Sequence, residues 1–258
     1  MHITRIVVFP IKSLDGVEIP TTRISDGGTL AFDRMYAIVD PAGKIVNAKR
    51  EPRVIRLRCQ FAPDFREICI WQSGAEDKAN FDLQATEPID RWMTQYFGYE
   101  VKLQRSGTRG FPDDEEAYGP TFTSEASLQA VTEWFPGLTI ASTRRRFRTN
   151  IELYAAHAFE EDMLFGAPGE RRQFRAGAVS FLGHNPCQRC AVPSRDPETS
   201  GPLPLFQAQF AASRKAALPA WSNELQFNHY YRFAVNTSIP LEEAGKTISV
   251  GDPIQLGW

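Results

Sequence analysis

Short apolar runs closed by turn residues set the pattern of the first third of the chain. "ITRIVVF" (3–9), "MYAIVD" (35–40), "KIVNA" (44–48), "VIRLRCQF" (54–61) and "EICIW" (67–71) are rich in β-branched and aromatic residues. Turn signals such as "PAGK" and "APDF" separate them, which predicts closely spaced strands in antiparallel meanders or a barrel. The period changes at 87–97. In "EPIDRWMTQYF", Ile89, Trp92, Met93, Tyr96 and Phe97 recur at i, i+3, i+4, i+7 and i+8, one face of a helix. Pro88 suits its first turn and Gly98 its end.

"YEVKLQR" (99–105) returns to a strand pattern. The run "SGTRGFPDDEEAYGP" (106–120) is polar, rich in Gly and Pro, and acidic in its middle. It is the expected linker between two domains, 1–105 and 106–258. A second helix is expected from Ser124, a residue of the N-cap type, with Leu128, Val131 and Phe135 as its buried stripe. Strands are expected at 147–154, 175–182, 229–235 and 247–256. One helix fits near 206–217, inside the proline-bearing segment 196–222. The pattern predicts a β-rich α+β protein with a few helices.

Composition narrows the class. The 258 residues are 42% hydrophobic and 12% aromatic, enough to build a full core without disulfide staples. A formal net charge of −2 argues against a general attraction to nucleic acid or anionic membranes. No apolar run approaches the ~18 residues of a transmembrane helix. The start, "MHITRIVVFPIKSLDG", lacks a basic leader region and is closed by Pro10, so it fits a first strand rather than a signal peptide. Four cysteines do not make a disulfide framework in a chain of this size, and a cytoplasmic protein is expected.

The chemistry concentrates in "GHNPCQRCAVPSRDPETSG" (183–201), where Cys187 and Cys190 flank Arg189. A structural zinc site needs four ligands, usually as two close pairs; Cys59 and Cys69 are not such a pair, and His2, His157, His184 and His229 are scattered. A thioredoxin-type dithiol opens a helix, which Pro193 and Pro197 deny here. Two readings stay open on chemistry alone. Both thiols could be small buried residues of a turn. Alternatively, Arg189 and Arg195 could stabilise a thiolate that ligates a soft metal within an anionic cofactor.

"NPCQRCAVPSRDPETSG" resembles the signature of the MOSC domain family. "FPIKSLDGVEI" (9–19), "FDRMYAIVD" (32–40) and "NAKREPRV" (47–54) are similar to the N-terminal β-barrel domain that precedes it in amidoxime reducing components. "TSEASL" (123–128), "RRFRTNIEL" (145–153) and "KTISVGDPIQL" (246–256) follow in the family's order, so the resemblance spans nearly the whole chain. It implies two β-barrel-type domains with flanking helices and a bound molybdenum cofactor, a molybdopterin. The family's metal ligand maps onto Cys190, with Cys187 a neighbour. Its cofactor-binding donors map onto Lys12, Ser13, Arg34, Arg148 and Asn150, and Arg189 becomes the electrostatic setting of the thiolate. Arg binds phosphate through two parallel hydrogen bonds, Lys supplies a point charge, and Ser and Asn complete such a set.

The activity implied is reduction of N-hydroxylated small molecules by a molybdenum-dependent oxidoreductase. No cysteine quartet for a fused iron–sulfur cluster follows the last expected strand, so electrons are expected from a separate donor protein. The rival is a cofactor carrier or sulfur-transfer module that turns nothing over. A nucleic-acid role for "RRRFR" (144–148) is disfavoured by the net charge. In that stretch a strand would place Arg146 and Arg148 together, opposite Phe147. Two departures from the family stand out: Gln188 replaces a common serine, and Ser200 is inserted before Gly201 in "DPETSG".

Overall fold

The computed structural model describes residues 1–257, with fifteen strands and four α-helices among them. The first half holds β1 (His2–Val8), β2 (Val17–Glu18), β3 (Thr21–Arg23), β4 (Tyr36–Val39), β5 (Leu57–Phe61), β6 (Glu67–Gln72), β7 (Ala79–Asp82), α1 (Glu87–Phe97) and β8 (Lys102–Arg105). The second holds β9 (Phe122–Ser124), α2 (Glu125–Glu133), α3 (Ile140–Phe147), β10 (Ile151–Tyr154), β11 (Arg172–Ala176) and β12 (Val179–Gln188). It closes with α4 (Phe206–Ala216), β13 (Arg232–Ser238), β14 (Thr247–Ser249) and β15 (Ile254–Leu256). The β-rich α+β class expected from the sequence is what the chain adopts.

Eight strands form one curled sheet in the order β15-β11-β12-β13-β9-β10-β1-β2. A bridge from His2 to Pro253, with Ile3 N donating to Asp252 O at 2.9 Å, brings its ends together into a half-barrel. The chain's beginning is therefore woven into its end: β1 pairs with β10, and β3 pairs with β14. Ile3, Ile6 and Val8 share one core with Phe122, Phe174 and Phe181. Phe122 meets the other two rings edge-on at 5.3 and 5.2 Å, contacts worth about 0.5–1.5 kcal/mol each beyond their buried area.

A second core gathers β4, the meander β5–β6–β7 and the buried face of α1, with Ile89, Met93 and Phe97 inward. Gly98 caps α1 in the left-handed conformation, as its sequence position predicts. A third core lies under α2 and α4, where Leu128, Val131 and Phe135 pack against Phe206, Phe210 and Phe147. Ser124 accepts a hydrogen bond from Ser127 N as the N-cap of α2.

Several local expectations change. The strand expected at 147–154 begins only at Ile151, because Phe147 ends α3, a helix that Thr139 caps and whose basic last turn suits the dipole. Arg146 and Arg148 consequently do not share a strand face. The strand expected at 175–182 is a hairpin turning at Gly177, and 247–256 is two strands broken at Gly251. Residues 44–48 contribute only an isolated bridge, Ile45 to Val39. No helix among the described residues is long and apolar enough to cross a membrane.

Candidate functional site

A cleft of about 480 Å³ opens beside the second and third cores, against Leu57 and Phe147. Its walls come from the loop after β1, the loop before β4, the segment 112–121, the end of α3, the loop after β12, and β13. Of the residues singled out in the sequence, Lys12, Ser13, Arg34, Arg148, Arg189 and Cys190 line it. Asn150 does not; it lies behind the wall, fully buried.

Three of these residues hold a backbone conformation that side chains seldom adopt: Ser13 at φ 75°, Arg34 at φ 50° and Arg148 at φ 52°. Such strain persists only where surroundings enforce it. Around Ser13 and Arg34 the enforcement is a lattice of main-chain bonds. Arg34 N donates to Phe9 O at 2.7 Å, Tyr36 N to Pro10 O at 2.9 Å, and Lys12 N to Tyr36 O at 2.8 Å. At Arg148 it is the C-cap of α3, whose N–H reaches Arg144 O. The Ser13 hydroxyl lines the cleft and makes no hydrogen bond among the described residues.

The ring of Phe9 is a platform for two cations. The guanidinium carbon of Arg148 lies 4.2 Å from its centre and that of Arg34 lies 5.6 Å away. Arg34 pairs with Asp33, whose other oxygen accepts from Phe9 N at 2.8 Å and from Asn150 Nδ2 at 3.1 Å. Asn150 also donates to Val7 O at 3.0 Å, and its Oδ1 accepts from Thr121 N at 3.2 Å. Asn150 thus positions Asp33, and Arg34 both through it and directly, Arg34 Nη1 donating to Asn150 Oδ1 at 3.4 Å. The Arg148 guanidinium makes no hydrogen bond or ion pair among the described residues. Burial, and then the like charge of Arg34, push its pKa down to about 10.

Lys12 is held differently. Its Nζ donates to Phe111 O and Pro112 O, each at 2.9 Å, and meets Asp113 Oδ1 at 2.7 Å. All three ammonium protons are used by the acidic segment, for which the sequence had offered no contact. Burial disfavours the Asp113 charge, yet Arg34 and Lys12 outweigh it and hold this carboxyl well below the usual range. The segment expected as a linker is a wall of the cleft.

The cysteine loop leaves β12 after Gln188, so Cys187 is still in the strand and Cys190 lies beyond it. Both thiols are half-buried. Arg189 Nη1 approaches Cys187 Sγ at 3.3 Å, and its Nη2 bonds Phe147 O. The guanidinium therefore turns to Cys187, while Cys190 Sγ lines the cleft with no hydrogen bond among the described residues. Two arginines that sequence reasoning missed fasten this loop. Arg146 Nη1 reaches Pro193 O at 2.9 Å, and Arg145 pairs with Glu198. Glu198 also accepts from Ser73 Oγ at 2.7 Å, tying the loop to the opposite wall. Thr139 as an N-cap ahead of a basic last turn was the available signal.

The arrangement is a cationic cleft with one thiol free to ligate and one guanidinium free to bind an anion. Two family models match the chain: "MOSC N-terminal beta barrel domain" over residues 1–100 and "MOSC domain" over residues 120–255. Among curated proteins, a molybdenum cofactor sulfurase of Drosophila grimshawi is 26% identical over 221 residues, covering 73% of this chain and 27% of that protein. A sulfurase of Bos taurus is 23% identical, with 76% and 27% covered. Mitochondrial amidoxime reducing component 2 of Rattus norvegicus is 22% identical, with 76% and 67% covered. The chain thus spans about a quarter of the sulfurases it matches and two thirds of the amidoxime reducing component.

Proposed function

Since the chain belongs to the MOSC family and carries that family's N-terminal β-barrel domain, we propose that its cleft binds a molybdenum cofactor and reduces N-hydroxylated compounds. The observation that carries this reading is Arg148, a half-buried guanidinium with no carboxylate within 4 Å among the described residues, lining the same cleft as the free thiol of Cys190. A partly desolvated cation without a paired counter-charge is costly, and an anionic ligand resolves it. The residues present fit a molybdopterin. Cys190 would ligate the metal, while Arg148, Arg34 and the Ser13 hydroxyl would take the phosphate and polar edge of the pterin.

When bound, the metal supplies the two-electron reduction of an N–O bond; the electrons come from a separate donor protein. The chain's own part is placement. Arg34 is oriented by Asp33, Asp33 by Asn150 and the Phe9 amide, and the whole stands on the Phe9 ring. Arg189 holds the cysteine loop to the end of α3 through Phe147 O. Glu198 straps that loop across to Arg58 and Ser73.

Metal analysis of protein made in a host that synthesises the cofactor tests the first part. Wild type should carry molybdenum and Cys190→Ser should lose it, whereas equal contents would remove the ligand assignment. Benzamidoxime reduction by loaded protein with a chemical electron donor tests the second. The sulfurase relatives favour one other reading, a carrier or sulfur-transfer module; loaded protein that reduces no N-hydroxylated substrate selects it.

A further inference from the structure

The Phe9 platform answers for one anion, yet the cleft offers a second place for one, on β12 and β13. Arg232 opens β13 opposite Gln188, next to the cysteine loop, and lines the cleft. Its Nη1 donates to Pro186 O at 2.8 Å and its Nη2 to Asn228 Oδ1 at 2.7 Å. Both partners are neutral, and no carboxylate pairs with it among the described residues. Its Nε is buried without any hydrogen-bond partner.

Among the described residues, Arg148, Arg189 and Arg195 also line the cleft without a carboxylate within 4 Å, but of these four only Arg232 has a buried nitrogen with no partner. Arg34, Arg58, Arg145 and Arg146 each have a carboxylate within 4 Å. The buried Nε is closed to a ligand, but Nη1 and Nη2 each carry one more N–H than they use, so the guanidinium keeps donors for an acceptor in the cleft. A further donor faces the same space. Asn185 and Asn236 are paired in register across β12 and β13 and both line the cleft. Asn236 Nδ2 donates to Asn185 Oδ1 at 3.2 Å, which leaves the Asn185 amide N–H groups without an acceptor among the described residues. These are donors without acceptors, on a rigid ladder beside the proposed metal ligand.

We propose that Arg232 and Asn185 form a substrate subsite for a carboxylate, so that the cleft takes acidic N-hydroxylated compounds in preference to neutral ones. The subsite rests on the reductase reading for the reacting group, and on its own geometry for the charge. Arg34 and Arg148 belong to the phosphate of the cofactor, on the Phe9 platform. Arg232 sits on a different element and serves the substrate. A carboxylate held by a charge-assisted bond gains about tenfold or more in affinity over an uncharged analogue.

The test compares 4-carboxybenzamidoxime with benzamidoxime on the loaded full chain. Calorimetric binding without an electron donor is one readout and the ratio of kcat/KM values is the other. Wild type should favour the acid by about tenfold or more in both. Arg232→Gln should bring the ratio towards one. Because Arg232 also ties Pro186 and Asn228, Asn236→Asp provides a second variant. It leaves those ties alone, sets a negative charge in the subsite, and should lower affinity for the acid.

Equal affinity of wild type for the two compounds overturns the subsite. So does a loss of molybdenum in Arg232→Gln that matches the loss of binding, which would return Arg232 to the cofactor. If the acid binds preferentially through Arg232 but neither compound is reduced, the subsite stands and the reductase reading falls.

Discussion

The Arg148 guanidinium carbon lies 4.2 Å from the centre of the Phe9 ring, with no carboxylate within 4 Å among the described residues. The aromatic face recovers part of the cost of partly desolvating that charge, about 0.5–2 kcal/mol, and Asp15 and Asp113 act on it only through space. A residue kept in this state works against the fold and is explained by a ligand. Arg148→Ala should therefore melt within about 1 kcal/mol of wild type, because the lost stacking and the relieved burial roughly cancel. Binding of inorganic pyrophosphate to the cofactor-free protein, read by calorimetry, should fall about tenfold or more. A large loss of stability with unchanged pyrophosphate binding would make Arg148 a structural residue.

Asp113 behaves as an internal anion in the same cluster. It meets Lys12 Nζ at 2.7 Å and lies within Coulomb reach of Arg34 and Lys49. An incoming phosphate competes with it for those charges. Asp113→Asn should bind pyrophosphate several-fold more tightly than wild type, an effect that shrinks as salt is raised because the site opens to solvent. Unchanged affinity would show that the carboxylate and the ligand do not share the cluster.

How much of this was legible along the chain follows from where each signal resides. The strands in β-branched runs and the helix at 87–97 announce themselves locally, through a period that the burial then matches. Helix α3 does not, since only Thr143, Arg146 and Phe147 of it are buried and an arginine occupies the inner face. Thr139 before a basic last turn was its one local sign. Lys12 and Asp113 meet across 101 residues, a pairing no local pattern encodes. The motif residues Arg34 and Arg148 could be named from the family resemblance. That they share one ring, and that Arg189 turns to Cys187 rather than Cys190, comes from packing.

Asn150 illustrates the difference between touching a ligand and placing what touches it. Its amide serves Val7 O, Asp33 and Thr121 within the wall, and its Oδ1 also accepts from Arg34 Nη1 at 3.4 Å. Removing it strands a buried carbonyl and a buried carboxylate together. Asn150→Ala should cost about 2–4 kcal/mol in denaturant unfolding. Pyrophosphate affinity should fall less than in Arg148→Ala, since Arg34 loses its guide but not its charge. Full stability with lost binding would place Asn150 in contact with the ligand.

His184 provides a pH signature independent of the cleft. Its Nε2 meets Ser238 Oγ at 2.8 Å and the side chain is only 4% exposed. Burial, and secondarily the charge of Arg171, push its pKa from 6.5 down to about 4. The unfolded chain therefore takes up this proton first as pH falls, and folding stability declines with it. Above pH 6.5 the imidazole is neutral in both states and the stabilising difference is fully present. It drains away between pH 6.5 and about 4, where the folded protein also protonates. Melting temperatures of wild type should fall through that window. His184→Gln, which keeps a donor towards Ser238 but cannot titrate, should show a shallower slope across the same range. Parallel slopes would mean that other groups govern the acid limb.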